Sequence, residues 1–86
     1  MTTYHVAAGT RWSVGRTNLT IRGGNGAVRT LVHPESALWD LLSRGYAFDA
    51  AAALMAHIAT MPAADARAFV SDTIAGWQRA GLLEVR

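Results

Sequence analysis

The polar and apolar positions of this chain change period along its length. Between residues 10 and 32 they come in short runs, "TRWSV", "TNLTIR" and "AVRTLV", rich in β-branched and aromatic side chains. Such runs predict two or three antiparallel strands. The last two flank "GGNG", whose Asn25-Gly26 step is a strong signal for a short hairpin. By the two-residue period Leu19 and Ile21 share a face, as do Val28, Thr30 and Val32, while Arg29 and Leu31 point the other way. The second set is mixed, so alternation leaves open which side of that strand is core.

At "HPES" the period lengthens. Pro34 suits the first position of a helix, where its missing N–H costs nothing, and Glu35 sits well in the positive first turn. Leu38, Leu41 and Leu42, with Trp39 widening the stripe, predict a helix of about ten residues that Gly45 stops in a left-handed conformation. After "GYA" a second helix places Phe48, Ala51, Ala52, Met55 and Ile58 on one face, with Asp49 in its first turn. Pro62 interrupts. A third helix runs from about Ala63 to Ala80, with Ala66, Val70, Ile74 and Trp77 on one stripe, Phe69 and Thr73 beside it, and Gly81 as its end. The tail "LLEVR" either adds a short strand or packs Leu82 and Leu83 on the helices, and residues 1–9 read as a poorly ordered segment or an edge strand. The expectation is a single α+β domain over 1–86, winged helix-turn-helix-like, with a small antiparallel three-stranded sheet followed by three helices.

Composition narrows this. A chain of 86 residues buries only about 60% of the surface it exposes when unfolded, which leaves room for one core. No apolar run approaches the roughly 20 residues that span a bilayer, and "MTTYHVAAGTRW" lacks the basic start and apolar core of a secretory signal, so a cytoplasmic protein without membrane contact is expected. There is no cysteine, hence no disulfide and no thiolate chemistry. All eight basic residues are arginine and the net charge is +2, a mild bias toward acidic partners rather than a nucleic-acid footprint.

Catalytic chemistry finds little footing. His5, His33 and His57 are not paired in sequence with a ligand or base, and read as surface or capping residues. Glu35, Asp40, Asp49, Asp65, Asp72 and Glu84 are scattered and read as solvated or capping charges. No catalytic residue, metal ligand, cofactor or enzyme activity is expected. "GGNG" lacks the Lys-Ser/Thr of a P-loop and lies between strands, so a turn is the simpler reading. The helix-turn-helix outline raises a DNA-binding regulator as the alternative. Its third helix carries Arg67 and Arg79 but also Asp65 and Asp72, which is thin charge for phosphate contacts, so nucleic acid is not the expected partner. Peptide binding is better placed. "AVRTLV", Ala27 to Val32, is an edge strand with one charge, Arg29, and no Pro or Lys to guard it. It suits β-augmentation, with pairing to a second copy as a further use of the same edge.

The order of elements carries a resemblance. "ALWDLLSRG", "FDAAAALMAHI" and "VSDTIAGWQRAGLL" make the chain, over about residues 17 to 83, similar to PqqD-like proteins, the winged-helix domains known as RiPP recognition elements. Ala37, Leu38, Trp39, Leu41, Leu42 and Gly45 fit the first-helix pattern, and Val70, Ile74, Trp77, Gly81, Leu82 and Leu83 the last. Ala47 departs from the usual Ser or Thr cap, at a cost of about 1 kcal/mol; Trp77 replaces the usual Leu, with Gly76 read as making room for it. The resemblance implies a binding protein without chemistry. The leader segment of a ribosomally made precursor peptide would add to the third strand, Ala27, Val28, Arg29, Thr30, Leu31 and Val32, against a helix face drawn from Arg67, Val70, Ser71 and Ile74. Arg29 and Arg67 would meet acidic leader residues, and the domain would deliver the peptide to a maturation enzyme. A free-standing domain with Trp in the first helix looks most like the recognition subunit of lasso-peptide pathways, whose partner is a leader peptidase.

Overall fold

The computed structural model describes residues 3–85. Along the chain lie β1 (Tyr4–Val6), β2 (Arg11–Val14), β3 (Leu19–Arg22), β4 (Val28–Leu31), α1 (Glu35–Ser43), α2 (Phe48–Ile58), α3 (Ala63–Arg79) and β5 (Leu83–Val85). The fold is α+β. Strands β2, β3 and β4 form an antiparallel sheet in that order, and the three helices follow it. The chain ends make a second sheet of two strands, with Tyr4 opposite Val85 and Val6 opposite Leu83. Both open questions about the ends thus have one answer: residues 4–6 and the tail pair with each other, while residues 1, 2 and 86 lie outside the described residues.

Two different turns set the sheet register. The Gly15 N–H donates to the Asn18 carbonyl across a two-residue turn. The expected Asn25-Gly26 hairpin is longer than two residues. Gly26, at φ +87°, donates to the Gly23 carbonyl, Gly23 donates to the Ala27 carbonyl, and the Asn25 side chain accepts the Ala27 N–H. This is a type I turn closed by a left-handed glycine, the common three-residue hairpin.

Register also decides the face that alternation left open. Leu19 pairs with Leu31 and Ile21 with Arg29, so β4 turns Leu31 into the core and leaves Val28, Thr30 and Val32 outside. Arg29 shares the core side, yet is exposed. The core below the sheet holds Leu38, Trp39 and Leu42 of α1, Ala51, Ala52 and Met55 of α2, and Val70, Ile74 and Trp77 of α3. Ile58, expected on the buried face of α2, is exposed and is the last residue of the helix. Trp39 is fully buried and stacks edge-on between Trp12 of β2, centroids 5.7 Å apart, and Trp77 of α3, at 5.2 Å. Edge-to-face contacts of this kind are favourable beyond the area buried. One aromatic spine therefore ties sheet to helices.

All three helices begin without a side-chain cap, on Pro34, Ala47 and Pro62. Pro34 precedes the first helical residue rather than occupying it. All three end alike. The N–H two residues past the C-cap reaches back to the helix, Tyr46 to the Leu41 carbonyl, Met61 to Ala56 and Leu82 to Trp77. This motif needs a left-handed residue, supplied by Gly45 at φ +93° and Gly81 at +75°, but by Thr60 at +52° in α2. A β-branched residue is strained there, since its Cβ crowds the backbone.

Candidate functional site

Hydrogen-bond parity along the sheet identifies its free main-chain groups. The bond from Gly23 to Ala27 makes that pair hydrogen-bonded. Pairs alternate in an antiparallel ladder, so Ile21–Arg29 and Leu19–Leu31 are bonded while Arg22–Val28 and Thr20–Thr30 are not. The N–H and C=O groups of Val28 and Thr30 therefore point away from β3, toward the open side of β4. Among the described residues no strand covers that side: β4 ends the sheet order, and β1 and β5 pair with each other in the second sheet. Val28 and Val32 are 54% and 55% exposed, an apolar surface beside the unpaired main chain.

The ten residues expected at a peptide site are distributed unevenly. Ala27, Val28, Arg29, Thr30 and Val32 are exposed along or beside the β4 edge, whereas Leu31 is buried. On α3, Val70 and Ile74 are core residues, 0% and 3% exposed, and in this arrangement present nothing to a ligand. Their stripe is occupied by the packing of α3 on α2 and β5, and β4 and α3 are not a closely packed pair. Ser71 is exposed. Arg67 is exposed but engaged: Nη1 donates to Asp49 Oδ1 at 2.9 Å, and the guanidinium lies 5.0 Å from the Phe48 ring centroid. It clasps α3 to the start of α2 rather than waiting for a leader carboxylate. The pair is solvent-accessible, so its contribution is at most about 1 kcal/mol.

Elsewhere, His33, Ser36 and Asp40 line one cleft of about 340 Å³ between the β2–β3 turn and α1. These are the residue types of a nucleophile, base and orienting acid, but no hydrogen bond joins them, and Asp40 pairs with Arg44 at 3.1 Å. A nucleophile–base pair is thus not formed there. Among the described residues, no group of three or more His, Cys, Asp or Glu is placed to hold a metal ion. No helix among the described residues is long and apolar enough to cross a membrane. Burial against the core raises the pKa of the Tyr4 phenol above its ordinary value.

Sequence reasoning passed over Arg11 and Arg22. They are direct cross-strand partners on the outer face of the sheet, both exposed. The signal that would have paired them is the two-residue turn closed by Gly15 and Asn18, from which the register counts back to Arg11 and Arg22.

No family model matches the chain, and no curated protein and no solved structure is found to be similar to it.

Proposed function

We propose that this chain is a leader-peptide-binding domain of the RiPP recognition element type, which takes up an extended peptide by strand addition at the β4 edge. The observation that carries the reading is the unpaired edge itself, whose Val28 and Thr30 main-chain groups face outward beside exposed Val28 and Val32 side chains. In strand addition the main chain supplies much of the affinity and alternate side chains the specificity, each buried apolar anchor contributing roughly 1.5–3 kcal/mol. A few anchors are enough for micromolar affinity.

The domain then acts without chemistry or cofactor of its own, in the cytoplasm, handing the peptide to a maturation enzyme, with a leader peptidase of the lasso type favoured. The helix side of the site is narrower than the resemblance implies. Of the helix residues it implies, Ser71 is exposed, while Val70 and Ile74, with Leu31 of β4, hold the frame from inside. Titration with peptides encoded by short reading frames beside the gene tests the proposal. Micromolar binding to one of them is expected, and no binding to any at tens of micromolar counts against it. Affinity for duplex DNA that falls steeply with salt, with all peptides inert, favours the regulator reading instead.

A further inference from the structure

Charge is sharply divided between the two halves of this chain. Residues 1–34 hold Arg11, Arg16, Arg22 and Arg29 without a single Asp or Glu, whereas the remaining four arginines share their half with all six carboxylates. Among the described residues both ion pairs, Arg44–Asp40 and Arg67–Asp49, lie in the helices, and no sheet arginine takes part in one.

Within the sheet the arginines are not evenly spread. Arg11 stands directly opposite Arg22 on the face turned away from the helices. Gly15 and Asn18 form a bonded pair at the turn, so alternation makes Arg11–Arg22 a bonded pair too, with Cα atoms about 5.5 Å apart. Like charges set directly opposite are destabilising. Beside them on the same face stand the hydroxyls of Ser13 and Thr20. Arg11, Ser13, Thr20 and Arg22 line a shallow depression there.

We infer that this outer face, centred on Arg11 and Arg22, docks an acidic segment of a partner protein. A carboxylate seated between two guanidiniums accepts charge-assisted hydrogen bonds from both and removes the repulsion the free sheet carries. Nucleic acid suits the face less well. Arg29 lies on the opposite side and Arg16 in the β2–β3 turn, so only two phosphates would be neutralised, against the 6–10 contacts or so of a typical DNA-binding surface. The docking face is separate from the β4 edge and does not rest on the strand-addition reading.

Hexaglutamate, added to the full chain while backbone amide resonances are followed, is the probe. Shifts are expected at Arg11, Ser13, Thr20 and Arg22, with at least tenfold weaker binding in the Arg11→Gln/Arg22→Gln double variant and unchanged binding in Arg79→Gln. The double variant removes a repulsive pair, so it stays folded. Equal affinity in the double variant, or shifts confined to other surfaces, overturns the inference, as does tighter binding of a single-stranded oligonucleotide to the same face. A Thr30→Pro variant, which blocks the β4 edge, is expected to bind hexaglutamate normally. Failure of strand addition and failure of acidic docking are thereby read independently.

Discussion

The helical half and the sheet half of this protein treat their polar groups in opposite ways. The helices close on themselves: each ends with its terminal carbonyls recaptured, and Arg44 and Arg67 have carboxylate partners. The sheet leaves things open, with unpaired main chain along β4, arginines without acids, and valines in water at Val14, Val28 and Val32. Both halves share one core, so the difference is not one of stability but of what faces outward. A region that satisfies its own groups is a frame, and a region that does not is where a partner gains most by binding.

The harshest way to break this division is at the spine that joins the halves. Trp39→Ala removes a fully buried ring held between Trp12 and Trp77, and should cost about 3–5 kcal/mol, while Trp12→Ala, at a ring already 40% exposed, should cost clearly less. Chemical denaturation of the two variants measures the difference. Equal losses would mean that the sheet is anchored by Trp12 rather than by the helical core.

A smaller effect sharpens the account of the helical half. Thr60 holds a left-handed position that glycine fills in α1 and α3, so Thr60→Gly is expected to stabilise by up to about 1 kcal/mol, whereas Gly81→Ala should cost about 1–2 kcal/mol. Thermal unfolding of both variants gives the sign. If Thr60→Gly destabilises, the threonine side chain supports the α2 end in a way its backbone angle does not reveal.

How much of this was legible in the sequence follows from what each feature depends on. The α3 stripe of Ala66, Val70, Ile74 and Trp77 and the stops at Gly45 and Gly81 were legible because helical period and a left-handed glycine are local properties. Thr60 was not, since nothing in its identity announces a positive φ. The limits of α2 were less clear at Ile58, where an apolar residue at the right spacing falls at the helix end and stays exposed. For the candidate site, the strand β4 was legible but its core face was not. That face depended on register, and register depended on a hairpin longer than the Asn25-Gly26 step suggested. Whether Val70 and Ile74 pack or bind is likewise a question of tertiary contact, and spacing carries no answer to it.

Edge-strand parity offers the most direct test of the central claim, that the β4 edge is the binding surface. Thr30 directs its N–H outward, so Thr30→Pro removes a group that only an added strand would use, and edge strands accept proline at such positions. Arg29 directs its N–H to β3, so Arg29→Pro breaks the sheet itself and should cost about 3 kcal/mol or more. Titration of wild type and Thr30→Pro with a leader peptide that binds the wild type, each checked for folding, is the decisive measurement. The account predicts a native fold with affinity reduced at least tenfold. Unchanged affinity in a folded Thr30→Pro protein would contradict it.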